Sequence, residues 1–170
     1  ETALVVLAYS EILKKLFTKL FKTHAPKKEI PRWMLFLPED KQIELFKGMW
    51  RGDGYTRNRG IHYVTTSKKL SQHLKTILLR LGILHTIWIK SVEKQNKKKH
   101  KIGNRLIIAR NPKYEFEIRE PWLRKISQKL GIKHRYVKER NREMHYGWFT
   151  NKYAVIPIRT REEENYEGYV

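Results

Sequence analysis

The sequence predicts an α+β protein in which helices cover one face of a sheet. Three segments carry apolar residues at helical spacing, two pairs of short β-branched and aromatic runs separate them, and 40% hydrophobic residues are enough for a buried core. The core order is therefore helix, two strands, helix, two strands, helix. Because helices are expected on one side only, the other face of the sheet should remain free.

The N-terminal elements are a strand and a helix. The apolar run TALVVLAYS (residues 2–10) is typical of a strand, and Ser10 can cap the helix that follows. This helix carries an apolar stripe at helical spacing, formed by Ile12, Leu13, Leu16, Phe17 and Leu20. Prolines at 26, 31 and 38 break the next segment into short pieces, and a second helix can begin at Glu39 or Asp40.

Strand and helix signals alternate in the rest of the chain. Two short strands are expected around a turn at Arg57–Gly60, because Asn and Gly tolerate positive φ. Ser67 can cap a helix that ends at Gly82, and a last helix runs from Pro121 to Gly131. Between these helices we expect a strand, a basic loop and a second strand interrupted near Asn111 and Pro112, at residues 83–94, 95–104 and 105–118.

The composition indicates a polyanion as partner. The 37 lysines and arginines against 17 acids give a formal net charge of +20, so we expect nucleic acid, with an anionic membrane surface as the alternative. No apolar run approaches the roughly 20 residues of a membrane span, and no signal peptide is visible, which favours a cytoplasmic protein. The absence of cysteine excludes disulfides and thiolate metal sites.

The histidines form neither HxH nor HExxH, so a zinc site is not indicated, and neither a phosphate-binding P-loop nor a GxSxG nucleophile motif occurs.

The segment FKGMWRGDG (residues 46–54) combines unusual features at a predicted helix end. Gly48 and Gly52 lie on one helix face, where small residues allow a second backbone to approach closely, although they could simply fray the helix. Asp53 faces the negative end of the helix dipole, which is unfavourable. A bound divalent cation would reverse that penalty. A turn-forming Asp-Gly pair is an equally good explanation from the residues alone.

This segment resembles the LAGLIDADG motif of homing endonucleases, particularly the intein-encoded type. The resemblance extends to APKKEIPRWMLFLPEDKQIELFKGMWRGDGY and VTTSKKLSQHLKTILLRLGI, which look like the second LAGLIDADG helix with its leader and the later strand and helix of that family. The closing ENYEGYV is similar to the start of the C-terminal splicing block of inteins. Residues 1–37 then look like the end of a preceding half, 38–131 like the endonuclease core, and 132–170 like an extension toward a splicing domain.

The resemblance implies a saddle-shaped αββαββα fold with a four-stranded antiparallel sheet that binds double-stranded DNA. It implies that Gly48 and Gly52 pack against a second LAGLIDADG helix, and that Asp53 binds Mg²⁺ at a scissile phosphate. By position, Lys133 is expected near the attacking water, with Arg135 next, and Thr66 beside water or metal. Only one such motif occurs, so the second helix is expected from a longer chain or a homodimer partner.

The free sheet face is expected to contact DNA. Tyr55, Arg57 and Arg59 share one parity on the first strand, and Trp88, Lys90 and Lys94 share a face on the third. The basic loop is expected to contact phosphates without reading sequence. The full DNA-binding set predicted from the sequence is Tyr55, Arg57, Arg59, Tyr63, Trp88, Lys90, Lys94, Lys98, Lys99 and Lys101.

The sequence therefore predicts half of a site-specific DNA endonuclease that makes Mg²⁺-dependent double-strand breaks in a long site. A catalytically degenerate LAGLIDADG DNA-binding domain and an RNA-binding maturase are the alternatives, since both would use the same basic surface. Asp53 favours the endonuclease, because a protein that only binds DNA needs no acid near phosphate.

Overall fold

The computed structural model describes residues 9–57, 60–97, 100–103, 105–131, 148–149 and 154–155. The chain divides into two compact units, Glu1–Tyr136 and Val137–Val170. In the second unit the described residues form two paired antiparallel strands, Trp148–Phe149 and Ala154–Val155. All elements discussed below belong to the first unit.

The helices begin and end close to the expected residues. Helix α1 covers Glu11–Phe21, α2 covers Glu39–Asp53, α3 covers Lys68–Arg80 and α5 covers Trp122–Leu130, with a short helix α4 at Val92–Asn96. Two 3₁₀ turns, Ala25–Lys27 and Arg32–Phe36, fill the proline-rich segment. The hydroxyls of Ser10 and Ser67 accept hydrogen bonds from the backbone N–H groups of Leu13 and Leu70. These contacts confirm both serines as N-caps.

Four strands form an antiparallel sheet in the order β1-β2-β6-β3. They are β1 (Gly54–Arg57), β2 (Gly60–Thr65), β3 (Thr86–Lys90) and β6 (Lys113–Ile118). Strand β6 lies between β2 and β3, so the last strand in sequence occupies the inside of the sheet. This arrangement confirms the α+β class and is consistent with the LAGLIDADG fold.

The core lies between one face of the sheet and the helices. Apolar side chains from β2 and β6 meet those of α2, α3 and α5 there, and the largest fully buried ones include Phe46, Ile61, Leu74, Ile77, Leu78, Phe116 and Ile126. Residues of opposite parity on the same strands point away from the helices. The expected free sheet face is therefore present within the described part of the chain.

The segment between β3 and β6 differs from the expectation. The strand predicted over residues 83–94 is confined to β3, because Ser91 caps α4 by accepting a hydrogen bond from the Lys94 N–H at 3.3 Å. Strand β4 (His100–Ile102) lies in the predicted basic loop and pairs antiparallel with β5 (Arg105–Ile107), which is the first part of the predicted second strand. The predicted interruption before β6 is confirmed.

The apolar stripe of α1 is exposed apart from the half-buried Leu20. No residue of this helix is buried, and Ile12 is 80% exposed. The strand predicted at residues 2–10 lies almost entirely outside the described residues. Among the helices that the structure describes, none combines the length and apolar character needed to cross a bilayer.

Candidate nucleic-acid interface and acidic helix end

Asp53 is the last residue of α2, and β1 begins at the next residue. Its side chain is exposed, and no salt bridge involving it occurs among the described residues. The backbone N–H of Gly54 donates to the carbonyl of Trp50 and closes the helix. A Cβ added at Gly54 would overlap both the indole and the carbonyl oxygen of Trp50. Glycine at 54 therefore lets the chain turn directly from the acid into the sheet.

The face of α2 that carries Gly48 and Gly52 is open. Both residues are exposed, and a Cβ added at either would meet no heavy atom within 4 Å. Since the two glycines are four residues apart, they leave a flat strip along the helix that ends at Asp53. No described element of this chain occupies the strip. Its packing against a second helix remains a prediction.

Tyr63 is not on the free sheet face. It pairs directly with Gly54 in the β1–β2 register, whereas Tyr55 pairs with His62, so Tyr63 points to the opposite side of the sheet from Tyr55. Its side chain is part of the core and is only 4% exposed. Burial, followed by the negative charge of Asp53, raises the pKa of Tyr63 to about 12. Tyr63 belongs to the DNA-binding set predicted from the sequence, and strand parity argues against that assignment.

Asp53 and Thr66 lie at the same end of the sheet, because β1 starts there and β2 ends there. The Thr66 hydroxyl oxygen is buried and has no hydrogen-bond partner among the described residues. The pairing of Lys90 with Lys113 lies at this end too, whereas Arg57 lies at the opposite end. Lys133 and Arg135, the other residues expected near the reacting phosphate, are outside the described residues.

Four side chains expected to contact DNA share the free face. The register places Tyr55 and Arg57 of β1 on the same side as Trp88 and Lys90 of β3. Arg57 and Lys90 are exposed, and Trp88 is 54% exposed. The structure therefore brings an aromatic and basic set from both sheet edges onto one surface. Arg59 lies outside the described residues.

The centre of this face holds three side chains that the sequence did not predict as functional. There, His62 lies between Glu115 and Glu117, with Nδ1 3.5 Å from Glu115 Oε1 and Nε2 3.8 Å from Glu117 Oε1. All three residues are at least nine-tenths buried. We call them the central row. The alternation in KYEFEI (residues 113–118), with apolar residues at every second position, could have predicted two acids on the free face.

The central row is connected to the predicted DNA-binding side chains. The Tyr55 hydroxyl donates to Glu115 Oε1 at 2.6 Å, and the Trp88 indole N–H donates to Glu117 Oε2 at 3.3 Å. The Tyr55 and His62 rings also stack, with centroids 4.8 Å apart. Hydrogen bonds to the two buried carboxylates thus fix the positions of Tyr55 and Trp88 on the face.

Cations surround the same carboxylates. Lys113 Nζ lies 3.0 Å from Glu115 Oε2 and Lys90 Nζ lies 3.9 Å from it, while Arg119 Nε is 2.6 Å from Glu117 Oε1. Burial alone would raise the pKa of Glu115, but hydrogen bonds from Tyr55 and Lys113, with the charges of Lys113 and Lys90, outweigh it and lower the pKa. Glu115 therefore carries its negative charge at neutral pH.

Burial, with the hydrogen bond to Glu115 and its charge, raises the pKa of the Tyr55 hydroxyl to about 12. This hydroxyl therefore keeps its proton and remains a donor to Glu115 at neutral pH.

The insertion between β3 and β6 extends from the end of the sheet that holds Asp53. The Gln95 amide donates to the carbonyls of Lys90 and Asn111, at 3.1 and 3.0 Å. Asn96 accepts from the N–H of Ala109 at 2.8 Å and donates to its carbonyl at 3.1 Å. Gln95 therefore fastens the insertion to the end of β3, and Asn96 joins α4 to the returning chain at Ala109.

Lys94 belongs to this insertion, in α4, and not to β3 as the sequence analysis expected. The reason is that β3 stops at Lys90 and the Ser91 cap starts a helix. Lys98 and Lys99 are outside the described residues, and for Lys101 the structure describes the backbone of β4 only.

The described residues do not assemble a metal site by themselves. No group of three or more histidine, cysteine or acidic side chains that could hold a metal ion occurs among them. The exposed Asp53 carboxylate offers hard oxygen ligands of the kind that Mg²⁺ prefers. It would supply only part of a coordination shell.

A comparison with known protein families gives a match that covers helix α2 and the four-stranded sheet. Residues 40–119, from the start of α2 to the end of β6, match the family described as LAGLIDADG-like domain. The match supports the LAGLIDADG family. It coincides with the segment that contains the glycine strip, Asp53 and the whole four-stranded sheet.

Three relatives from archaea carry a similar segment. An uncharacterized protein of Methanocaldococcus jannaschii, MJ0043, is 32% identical over 168 residues, which cover 95% of this chain and 19% of that protein. The proteins named ATP-dependent DNA helicase Hel308 are 36% identical over 46% of the chain in Methanocaldococcus jannaschii and 27% identical over 86% in Thermococcus kodakarensis. The matched segments are 7% and 12% of those helicases. The chain thus spans about a fifth or less of these relatives.

Proposed function

We propose that this chain is one half of a site-specific DNA endonuclease of the LAGLIDADG type. The observation that carries the proposal is the position of Asp53: an exposed carboxylate ends a helix with an open glycine strip, at one end of a sheet whose free face is lined by aromatic and basic side chains. The LAGLIDADG-like match over the same residues supports it.

The charge distribution supports DNA as the ligand. A net charge of +20 gives a strong attraction to any polyanion, and a sheet presents its side chains in rows that fit the major groove of DNA. Arg57 and Lys90 lie on this face at opposite ends of the sheet, and the insertion adds Lys94. We assign phosphate contacts to the insertion and base contacts to the sheet.

Asp53 would hold one divalent cation against a scissile phosphate, and Mg²⁺ is the cation we propose. When bound, that ion would activate water and neutralise charge on the phosphate. The chain's own contribution is the exposed carboxylate of Asp53, at the same end of the sheet as the Thr66 hydroxyl, which has no hydrogen-bond partner among the described residues. We propose that this hydroxyl hydrogen-bonds the attacking water, and that Lys133 lies beside it.

A second LAGLIDADG helix is needed to complete the site. The glycine strip of α2 and most of the apolar stripe of α1 are exposed in the described part of the chain. We propose that a preceding half of the same longer polypeptide covers them, and that residues 1–37 are the last part of that half. Residues 132–170 would follow the endonuclease core as an extension toward a splicing domain. A homodimer is the alternative source of the second helix.

We further propose that the endonuclease is of the intein-encoded type. Similar segments form a small part of proteins that carry different names, a helicase and an uncharacterized protein. This supports a module carried inside longer polypeptides. The resemblance of residues 164–170 to a splicing block points the same way.

DNA binding without cleavage is the second candidate function. It is favoured by the single acid that the described residues place at the helix end, since one carboxylate makes half a site. An RNA-binding maturase would use the same basic surface.

The test uses the longer polypeptide that contains this segment, incubated with Mg²⁺ and a library of randomised DNA duplexes. We expect double-strand cleavage of a subset of sites, and loss of cleavage with retained binding in Asp53→Asn. Asp40→Asn, which removes an exposed acid at the other end of α2, is the matched control and should cleave normally.

Specific binding without cleavage by the unaltered protein would refute the endonuclease proposal in favour of the degenerate domain. Tighter binding to RNA than to duplex DNA at matched salt would favour the maturase. Equal cleavage by Asp53→Asn would show that the acid is not part of the site.

A further inference from the structure

The central row places two negative charges in the middle of a face that is proposed to bind a polyanion. Glu115 and Glu117 are two of only 17 acids in a chain with 37 lysines and arginines, and both lie on the free side of β6. Strand β6 has a neighbour on each side, so the acids occupy the inside of the sheet and not its edge. Such a position is unfavourable for phosphate contact.

The four carboxylate oxygens are already engaged. Those of Glu115 are approached by Tyr55 on one side and Lys113 on the other, and those of Glu117 by Arg119 and Trp88. Buried carboxylates are tolerated when they are paired and hydrogen-bonded in this way. Both side chains are also nine-tenths buried, so a DNA base has little access to the lone pairs that remain on these oxygens.

Their partners, by contrast, come from every part of the face. Tyr55 belongs to β1, Trp88 to β3, and the cations to β3, β6 and the residue after it. His62 of β2 fills the space between the acids and stacks on Tyr55. The acids thus connect side chains from all four strands into one arrangement.

We propose that Glu115 and Glu117 are positioning residues for sequence recognition. They fix the aromatic and basic side chains that contact base edges, and their charge keeps phosphates away from the centre of the face. This inference rests on the proposed DNA-binding function. It divides the surface into a near-neutral centre that reads sequence and a basic surround, including the insertion, that supplies affinity.

The inference distinguishes affinity from specificity. Removing one negative charge from the face strengthens binding to any DNA, because a freed lysine or arginine can neutralise a phosphate. Removing a positioning carboxylate also lets the contacting side chains adopt other rotamers, which weakens the preference for the correct bases. Only the second effect lowers the ratio of specific to non-specific affinity.

The experiment uses the longer polypeptide with Glu115→Gln and, separately, Glu117→Gln, both isosteric and uncharged. Binding sites are selected from a randomised duplex library in Ca²⁺, and the affinity for the best selected site is divided by the affinity for random duplex. We expect this ratio to fall roughly tenfold in each variant, as for loss of one good base contact. Non-specific binding should tighten, and the slope of log K against log[salt] should steepen by about 0.9 for each additional phosphate contact.

Glu93→Gln is the matched control, because Glu93 is an exposed acid in α4 outside the central row. It should change the two affinities equally and leave the ratio intact. Tyr55→Phe is the second variant, since it removes only the hydroxyl that donates to Glu115. Tyr55→Phe should also lower the ratio of specific to non-specific affinity, although it leaves the net charge unchanged. It replaces the glutamine variants as the test if either of them does not fold.

An unchanged ratio in Glu115→Gln, Glu117→Gln and Tyr55→Phe would overturn the positioning role. Partial unfolding of a variant does not mimic the expected result. Both affinities are measured on the same preparation, so the fraction of folded protein cancels in the ratio of specific to non-specific affinity. Absence of any selected site with the unaltered protein would instead refute the proposed function itself.

Discussion

Replacing Gly48 with alanine tests the open face of α2 most directly. Gly48 lies in the interior of this helix, and an added Cβ would meet no heavy atom within 4 Å. Glycine in an exposed helix interior costs about 0.5–1 kcal/mol relative to alanine, because it loses more backbone freedom on folding. The chain studied alone should therefore become more stable by about that amount, which corresponds to a rise in Tm of roughly 1–4 °C for a domain of this size.

The sign reverses if a second helix packs on the glycine strip. An extra methyl group in a close helix–helix contact costs about 1–3 kcal/mol, because the backbones must move apart. In the assembled protein, Gly48→Ala should therefore weaken the association of the two halves and lower DNA cleavage. A substitution that stabilises the isolated half and destabilises the whole is the signature of an unoccupied interface.

The assay has two parts. Thermal unfolding of this chain, followed by circular dichroism, measures the local effect. DNA cleavage by the proposed longer polypeptide, or the association of its two halves, measures the effect on assembly. Gln72→Ala on the exposed side of α3 is the control, because it also introduces alanine on a helix surface without altering charge. It should have a small effect in the first measurement and none in the second.

Two results would refute the reasoning. Destabilisation of the isolated chain by Gly48→Ala would mean that the strip is already covered. Stabilisation in both measurements, with normal cleavage, would mean that no second helix approaches it.

Three further predictions concern the helix end and the sheet. Gly54→Ala should destabilise the chain by about 1–3 kcal/mol in denaturant unfolding, since its Cβ would overlap Trp50; an unchanged midpoint would contradict the close approach. Asp53→Asn should lower the pKa of Tyr63 from about 12, because the negative charge that opposes ionisation of the phenol is removed. NMR of ring-labelled tyrosine measures this pKa, and an unchanged value would show that the charge of Asp53 does not act on Tyr63. Folding lowers the pKa of Glu115, so its contribution to stability should be complete above its ordinary pKa of 4.5 and be lost as the pH falls through its pKa in the folded protein. Glu115→Gln should therefore flatten the free energy of unfolding against pH in that range, and an unaltered pH dependence would contradict the lowered pKa.

Local signals in the sequence are strong at helix ends. Ser10 and Ser67 cap their helices, and Gly131 takes the left-handed conformation at the end of α5 with φ of 67°. These positions depend on hydrogen bonds and backbone angles within a few residues, so the local sequence is sufficient to predict them. The same is true of the glycines and the acid that end α2.

The insertion between β3 and β6 was less predictable. A strand and a basic loop were expected, whereas the structure has α4 and a hairpin fastened by Gln95 and Asn96. The amide side chains bond to backbone groups up to 16 residues away, at Ala109 and Asn111. Sequence periodicity cannot reveal such contacts, because they depend on where the chain returns.

The sequence by itself determined the long helices, the four strands of the sheet and the acid at the end of α2. Tertiary structure alone decided that β6 lies between β2 and β3, which brings Glu115 beside Tyr55, 60 residues earlier, and Glu117 beside Trp88. It also put Tyr63 in the core, because the pairing of Gly54 with Tyr63 fixes its face. The physical reason is that alternation specifies two faces of a strand, whereas the packing of the helices selects which face is buried and which strands are neighbours.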